Sequence, residues 1–589
     1  MKKIIKLINF FDLKLKKKLI FLCLLILFTS FLQLLGLTSM IPAIAILSND
    51  SLIFDNKILN LIYIFFEFSE VNSFKIFIVC ISCIFILITV LVNFITIFFQ
   101  NKFVSLIYYT LETSFIKNYL NSTYSFFKNK SSSEILLMIN QFLPQFKDCI
   151  VGNLINIYSQ TVVLSYITIG LLIWNTKITF FLISILGFFY IIFYFLIKKR
   201  LKKIGDNLIQ ISLEKNKYAF DSLNNFKFLQ FIKNTEFYID NFKHKSNNAY
   251  KLSLRNMKLM LLPRNFLELI LFCGAMILSL FIFLINDGES HNSFLSLSVF
   301  AIATVKALPA CNQIFLNFYN YKLYLPVLDK VINEKIELEN NLKEINNNNE
   351  KLKFERDVVF ENINFKHVEG GFSLSNISLN IQKNTIIGIM GKSGSGKTTL
   401  IDVLCGLHVF ENGTIFIDGK VYERQQLNLL RKSISYVPQD IFLVDSSIKQ
   451  NIAIANNEDD IDMDLLIESS KKAEIYDYIN SLDEKFETSV GEQGYKLSGG
   501  QKQRLGIARA LYQKPEIIIF DESTSALDFT TEKLFLKTME KLKKELTCVF
   551  VSHKIETMKI CDKIIYLKDG KIINTGKYEE IKEKYFNNY

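Results

Sequence analysis

Long apolar stretches dominate the first 330 residues of this chain and limit what it can fold into. Half of its 589 residues are hydrophobic, only 21% are charged, and the mean hydropathy is positive, at +0.24. A helix of about 20 apolar residues is long enough to cross the roughly 30 Å hydrocarbon core of a bilayer. On that criterion we predict six membrane-spanning helices, at Leu19–Leu47, Phe74–Phe99, Val151–Trp174, Ile178–Ile197, Leu259–Ile285 and Phe294–Leu316.

The charges beside these stretches predict how the spans are oriented. Lysine-rich segments precede the first span and follow the fourth, whereas acidic residues prevail in the loops 48–73 and 286–292. Because lysine and arginine are retained on the cytoplasmic side of a membrane, we expect both termini to be cytoplasmic. The same lysines account for the net charge of +11, and no basic, aromatic-rich module indicates nucleic-acid binding. The first apolar run is too long for a signal peptide, which predicts an uncleaved span.

The segments between the spans predict further organisation. Both long cytoplasmic connections have apolar residues at helical spacing. This pattern predicts that the spans extend into the cytoplasm as helices, with short helices at their tips. The alternative interpretation is a pair of solvated helical loops. The outer segment 52–68 is mostly apolar, so we expect it on the membrane face or over a cavity, or as an extension of the neighbouring span. We therefore divide the chain into a transmembrane domain (1–330), a charged linker (331–352) and an α/β domain (353–589).

A glycine-rich octapeptide near the middle of the chain has the spacing G-x-x-x-x-G-K-[ST]. It follows a short apolar run typical of a buried strand, and a helical pattern begins near Thr399. Strand, loop and helix form the context in which backbone N–H groups hold nucleotide phosphates. We expect Lys397 to reach the β- and γ-phosphates and Thr398 to bind Mg²⁺. The octapeptide consists of Gly391, Lys392, Ser393, Gly394, Ser395, Gly396, Lys397 and Thr398.

A second apolar run, Ile517–Phe520, ends in two carboxylates. Asp521 is suited to the coordination shell of Mg²⁺. Glu522 is suited to polarise the water that attacks a phosphate. Acidic surface residues at the end of a strand are the alternative interpretation.

The pentapeptide Leu497-Ser498-Gly499-Gly500-Gln501 identifies the family that these motifs resemble. It is the signature of ATP-binding-cassette proteins, and residues 353–589 resemble the nucleotide-binding domain of these transporters over its full length. The resemblance implies an α-helical transmembrane domain with six spans followed by an α/β P-loop domain that binds ATP and Mg²⁺. Val490–Gly494 resembles a segment typical of exporters.

The same resemblance implies roles for four further residues. Gln439, in Tyr436-Val437-Pro438-Gln439, matches the glutamine that touches Mg²⁺ and the attacking water. His553 matches the histidine that contacts the γ-phosphate, and Asp528 matches the aspartate of the dimer-facing loop. His367 stands where the family stacks an aromatic residue on adenine, and Phe365 is expected in the core.

The resemblance also implies two copies of the chain. In the family, the signature segment closes on ATP bound by the opposite domain. One nucleotide-binding domain and six spans are half of the usual set, which implies a homodimer with two interfacial ATP sites. Here the segment comprises Ser498, Gly499, Gly500 and Gln501, which precede a predicted helix whose N-terminus favours anions.

Candidate substrate contacts lie in the fifth and sixth spans. Arg264 and Lys306 are costly in hydrocarbon, so they are expected to face a polar interior or, for Arg264, to pair with Glu268. Leu262–Glu268, Asn224–Phe228 and Lys306–Asn312 look similar to the bacterial flippase of undecaprenyl-pyrophosphate-linked oligosaccharides. That resemblance implies an inner-membrane flippase of a lipid-linked oligosaccharide or a related anionic lipid. Two alternatives remain open. The first is an exporter of peptides or of another lipid, and the second is an ATP-gated channel or regulator.

Overall fold

The chain forms two units, which a computed structural model describes separately. By its internal contacts, the first comprises Met1–Ser122 with Phe126–Leu342, and the second Thr123–Ser125 with Lys343–Tyr589. The structure describes residues 11–48, 50–68, 70–174, 176–231, 235–285, 290–342, 353–366, 373–408, 410–422, 427–455, 457–523, 528–552 and 554–585.

The described residues of the N-terminal part form helices that are joined by short turns. Two π-helical turns, Met138–Phe142 and Phe146–Gly152, join α7, α8 and α9 into one run. The helices are α1 (Leu13–Thr38), α2 (Met40–Ser48), α3 (Ser51–Asp55), α4 (Lys57–Phe65), α5 (Val71–Leu120), α6 (Tyr124–Lys128), α7 (Ser132–Leu137), α8 (Leu143–Gln145), α9 (Asn153–Trp174), α10 (Thr176–Asn224), α11 (Phe226–Phe231), α12 (Thr235–Ile285), α13 (Ser290–Leu323) and α14 (Leu325–Asn340).

The predicted helical membrane unit is confirmed. Within the described residues, three helical runs are apolar and long enough to cross a membrane, at Leu13–Leu47, Val71–Leu120 and Ser132–Ile173. They contain or overlap the first three predicted spans, and the other three lie on α10, α12 and α13. Helix α13 continues through Pro309, which membrane helices tolerate where neighbouring groups take over the lost hydrogen bond.

Three helices are much longer than a bilayer is thick. Helices α5, α10 and α12 have 50, 49 and 51 residues, which corresponds to about 75 Å at 1.5 Å per residue. They therefore extend well beyond the hydrocarbon, and the short helices α6 and α11 stand at the tips of the connections. Beyond the predicted spans, a core that includes Phe115, Phe142 and Val327 packs the extension of α5 against α14, and Ile209 of α10 packs against this core.

The apolar outer segment forms its own helices rather than prolonging a neighbouring span. In α4, Leu59, Ile62 and Tyr63 pack against a cluster that includes Phe74 at the start of α5. The opposite face carries Ile58, Leu61, Ile64 and Phe65, of which Phe65 is 80% exposed. Helix α4 is therefore apolar on both faces.

A partly buried ionic cluster connects α14 to α5 and to the segment that precedes α7. Lys130 Nζ lies 2.8 Å from Glu334 Oε2 and 3.0 Å from Glu337 Oε2. Tyr119 donates its hydroxyl to Glu334 Oε1 at 2.8 Å. Helix α14 thus enters the predicted linker 331–352 as a packed helix, with Val331 buried.

The C-terminal unit contains two sheets. The first is antiparallel with the strand order β2-β1-β4-β5, and the second has the order β10-β9-β3-β8-β7-β6, in which every pair is parallel except β10–β9. The strands are β1 (Asp357–Lys366), β2 (Ser373–Gln382), β3 (Ile386–Met390), β4 (Asn412–Ile417), β5 (Lys420–Tyr422), β6 (Ile434–Val437), β7 (Ile517–Asp521), β8 (Thr547–Val551), β9 (Lys563–Lys568) and β10 (Lys571–Gly576).

Helices surround these sheets. Strand β3 is buried along its whole length and β7 up to Phe520, as expected for central strands of a covered parallel sheet. The helices are α15 (Lys397–Leu404), α16 (Leu427–Ser433), α17 (Ile448–Ala453), α18 (Met463–Lys472), α19 (Tyr476–Asn480), α20 (Gly499–Tyr512), α21 (Phe529–Leu542), α22 (Ile555–Lys559) and α23 (Tyr578–Tyr585).

Candidate nucleotide site

The parallel sheet gathers the predicted catalytic segments at one edge. Strand β8 lies between β3 and β7, and β6 lies on the other side of β7. Because parallel strands end at the same edge, the segments that follow β3, β6 and β7 lie close together there. These segments carry the glycine-rich loop, Gln439 and the pair Asp521 and Glu522.

The glycine-rich loop joins β3 to α15 with its backbone open to a ligand. Gly394 and Gly396 have φ angles of +80° and +101°, a region that glycine enters without steric cost. Gly396 is also the N-cap residue of α15, and no side chain caps that terminus. The first N–H groups of the helix are therefore available to phosphate oxygens.

Two further residues, Gly391 and Ser395, shape this loop. The backbone at Gly391 passes close to Leu567. A Cβ added at Gly391 would lie 2.3 Å from the carbonyl oxygen of Leu567, so this position accommodates only glycine. Ser395 is buried, and its hydroxyl finds no hydrogen-bond partner among the described residues. A buried hydroxyl without a partner is costly, and a phosphate oxygen would satisfy it. Lys392 and Ser393 are exposed beside it.

Lys397 is held within the loop that precedes it. Its Nζ donates to the carbonyl oxygens of Gly391, at 2.8 Å, and Lys392, at 3.1 Å. Burial lowers the pKa of Lys397, and the carboxylates of Glu522 and Asp521 partly offset that effect. The ammonium group therefore lies where phosphate oxygens would replace carbonyl oxygens as its acceptors.

Asp521 and Glu522 end β7 in different environments. Burial raises the pKa of Asp521, while the hydroxyl of Tyr436 donates to its Oδ2 at 2.9 Å and opposes that rise. Glu522 has a φ of +48°, and its N–H donates to the carbonyl oxygen of Val551. A positive φ in a non-glycine residue is a strained conformation that recurs at functional sites.

The donor set at this edge of the sheet fits Mg²⁺. A hydroxyl from Thr398, a carboxylate from Asp521 and an amide oxygen from Gln439 are oxygen ligands of the kind that this ion prefers. Thr398 and Gln439 are exposed, and Asp521 is half-buried. With nucleotide, the ion would supply charge that neutralises the transferring phosphate, while Lys397 would bind phosphate and Glu522 would orient the attacking water.

The signature segment forms the N-terminus of α20. Ser498 accepts a hydrogen bond from the N–H of Gln501, whose side-chain oxygen accepts one from the N–H of Ser498. The N–H groups of Gly499 and Gly500 lie in the first turn of the helix and have no intrahelical acceptor, and Ser498 and Gly499 are exposed. Helix N-termini of this kind attract anions.

Asp528 has a structural role that the sequence did not indicate. It is the N-cap of α21, and its carboxylate accepts hydrogen bonds from the N–H of Thr531 and the hydroxyl of Thr530. These bonds lower its pKa.

Several predicted residues cannot be placed in the site. His367 and His553 lie outside the described residues. The backbone of α12 passes through Arg264, but the side chains of Arg264 and Glu268 lie outside the described part as well. Lys306 lies on α13 and is exposed in the single chain. Phe365, expected in the core, is buried and stacks on His408.

Sequence reasoning missed Tyr436 as a neighbour of Asp521. The two residues are far apart in the chain, and only the adjacency of β6 and β7 brings them together. The position of Tyr436 at the end of a strand, just before the segment that holds Gln439, was the signal that could have indicated it.

Comparison with known proteins agrees with this geometry. Residues 374–525 match the ABC transporter family. The C-terminal unit is an ABC ATPase domain. It is similar to the leukotoxin translocation ATP-binding protein LktB of Mannheimia glucosida, with 42% identity over 226 residues, which is 38% of this chain and 32% of the relative. The alpha-hemolysin translocation ATP-binding protein HlyB of Escherichia coli is 41% identical over 226 residues, with the same coverage.

The chain thus spans about a third of the length of these curated relatives. A solved bacterial Atm1-family ABC exporter with ATP bound resembles the chain over 97% of both chains, with a TM-score of 0.79 and 19% identity. The chain therefore has the predicted fold, a helical membrane unit of the exporter type followed by the ABC ATPase domain.

Proposed function

We propose that this protein is an exporter driven by ATP hydrolysis. The observation that carries the proposal is the ABC ATPase site in the same chain as a helical unit built to cross a membrane. The similarity in fold to an exporter over both units supports it. ATP and Mg²⁺ are the proposed cofactors, with Glu522, Gln439 and His553 in catalysis.

Purified protein in proteoliposomes tests the enzymatic part of this proposal. ATPase activity is expected to require Mg²⁺ and to be lost in Glu522→Gln. An ATP-gated channel would instead conduct ions upon ATP binding, and in the Glu522→Gln variant it would stay open with ATP bound. That result would overturn the exporter proposal.

A peptide or protein is the proposed cargo. LktB and HlyB are both named for toxin translocation, and their similarity to the ATPase domain supports this class over a lipid-linked oligosaccharide.

A lipid-linked oligosaccharide or another anionic lipid is the second candidate. The exposed apolar face of α4 supports it, because the hydrocarbon tail of a lipid cargo needs apolar protein surface to lie against. Lys306, and Arg264 if it faces the same interior, would bind a phosphate or pyrophosphate in this case.

One transport assay distinguishes the two cargoes. Proteoliposomes receive either a set of fluorescent unstructured peptides or a fluorescent polyprenyl-pyrophosphate glycan, with Glu522→Gln as the control without turnover. ATP-dependent movement of peptides alone supports the first cargo. Movement of the glycan alone, reduced in Lys306→Ala with ATPase activity intact, supports the second.

We further propose that the protein acts as a homodimer. Helix α11, at the tip of the second long connection, exposes Phe226, Phe228 and Phe231, the last to 79%. Three exposed aromatic rings on a six-residue helix outside the apolar spans are typical of a surface that another protein covers. The signature segment is also exposed, as expected if it binds ATP held by a second copy.

A mixture of two inactive variants tests this arrangement. Lys397→Ala removes the phosphate-binding lysine, and Ser498→Arg blocks the signature segment. If each ATP site combines the loop of one subunit with the signature of the other, a mixed dimer retains one intact site and regains ATPase activity. If each site lies within one chain, the mixture stays inactive and the proposed dimer is wrong.

The proposed location is the bacterial cytoplasmic membrane, with both termini inside the cell. The lysine-rich segments near the N-terminus and at 198–203, together with the acidic loops 48–73 and 286–292, support this orientation. Membrane-impermeant thiol labelling of cysteines placed in these loops would report the exposed side of each.

A further inference from the structure

Tyr436 connects two neighbouring strands at the nucleotide site. It lies in β6, directly opposite Ile519 of the parallel strand β7. Its neighbours Ser435 and Val437 are buried, whereas Tyr436 is 40% exposed on the opposite side of the strand. From there its hydroxyl reaches the last residue of β7 and donates to Asp521 Oδ2 at 2.9 Å.

This hydrogen bond restricts the orientation of the Asp521 carboxylate. Among the described residues, Tyr436 supplies the hydrogen bond that Asp521 receives. One carboxylate oxygen is thereby held by the phenol, and the other is left for the coordination shell of a divalent cation. Ligating carboxylates are commonly oriented by such outer hydrogen bonds, whose loss weakens metal binding.

We propose that Tyr436 is a positioning residue for the divalent cation that accompanies ATP, acting through Asp521. The same strand leads into the segment that carries Gln439, so β6 contributes both an outer contact and a candidate ligand to one ion. The proposal concerns the ATPase site alone and does not depend on the identity of the cargo.

Manganese binding to the full-length protein tests this role. Mn²⁺ replaces Mg²⁺ and its binding is followed by electron paramagnetic resonance, in the presence of ATP and in a Glu522→Gln background that prevents turnover. Loss of one hydrogen bond to a charged group is expected to raise the dissociation constant of Mn²⁺ in Tyr436→Phe by roughly tenfold. Binding of a fluorescent ATP analogue in EDTA is expected to be unchanged.

Steady-state kinetics provide a second measurement. With Glu522 intact, Tyr436→Phe is expected to raise the Mg²⁺ concentration for half-maximal ATPase activity by a similar factor, while the rate at saturating Mg²⁺ changes much less. The control is Ser435→Ala, which removes the hydrogen bond from Ser435 to Gln513 on the other side of the same strand. It is expected to leave the Mn²⁺ affinity unchanged.

Two results would overturn the proposal. Wild-type Mn²⁺ affinity in Tyr436→Phe would mean that the hydrogen bond does not position the carboxylate. An equal loss of metal-free nucleotide binding in Tyr436→Phe would mean that the tyrosine acts on the site as a whole.

Discussion

Lys397 Nζ donates to the carbonyl oxygen of Gly391 at 2.8 Å, so the lysine that we expect to bind phosphate is held by its own glycine-rich loop. The ammonium group is buried with two carbonyl acceptors. When nucleotide binds, it is expected to exchange these neutral acceptors for charged phosphate oxygens.

Lys397→Ala is expected to weaken ATP binding by about tenfold or more. A hydrogen bond to a charged group contributes roughly 1.5–3 kcal/mol, and about 1.4 kcal/mol corresponds to a factor of ten in affinity. Titration with a fluorescent ATP analogue measures the loss. Lys420→Ala, at an exposed lysine of β5, serves as the control. Equal affinities of the two variants would contradict the role of Lys397.

Glu522→Gln is expected to lower ATP hydrolysis by about 10²–10⁴-fold, the usual contribution of a general base. The amide keeps the shape of the side chain, so ATP binding should persist. Phosphate release and nucleotide binding are measured on the same sample. The matched variant is Glu516→Gln, just before β7, where Glu516 pairs with Lys383 at 3.7 Å. Comparable rates in the two variants would exclude Glu522 as the base.

Glu334→Ala is expected to destabilise the helical unit by about 1–3 kcal/mol. The change leaves the partly buried Lys130 without its nearest carboxylate and removes the acceptor of the buried Tyr119 hydroxyl. Glu339→Ala is the comparison on the same helix. Glu339 pairs with Lys335, and its side chain is 51% exposed. This exposed ion pair should contribute less than about 0.5 kcal/mol to stability. Chemical denaturation in detergent measures both, and equal destabilisation would argue against the cluster.

Asp418 is expected to make the C-terminal unit sensitive to acid. Burial acts to raise its pKa, but three backbone N–H donors, from Glu355, Arg356 and Asp357, prevail and lower it. A carboxyl group with a lowered folded-state pKa stabilises the protein above its unfolded pKa of about 3.9. That stability is lost as the pH falls through the folded-state pKa.

Asp418→Asn should therefore lower the thermal midpoint at neutral pH and reduce its dependence on pH below about 5. Circular dichroism melts over this range measure the effect. Asp483→Asn, at an exposed aspartate, is the control. The explanation fails if Asp418→Asn and the wild type lose stability in parallel as the pH falls.

The sequence predicted what depends on local pattern. The octapeptide 391–398 was correctly placed between a strand and a helix, and the carboxylates Asp521 and Glu522 were correctly placed at the end of a strand. Buried runs of isoleucine and glycine-rich turns are local signals, which is why these elements were predictable. The hydrogen bond between Tyr436 and Asp521 was not predictable, since it depends on which strands are neighbours. The cluster of Lys130 and Glu334 was missed for the same reason, as its members are about 200 residues apart.

Helix termini were harder to interpret. Asp528 was assigned to a dimer-facing loop by resemblance, and its capping of α21 became visible only in the structure. The roles of the capping residues Ser498 and Asp528 toward a second subunit stay predictions, as do those of Arg264 and Lys306 toward a cargo.

The left-handed backbone at Glu522 restricts which replacements are informative there. Glutamine preserves the geometry, and glycine or asparagine would even relax it, so their effects can be attributed to the missing carboxylate. Valine, isoleucine or threonine would clash with the main chain at this φ angle. Loss of activity in such a variant would therefore show only that the turn had been distorted.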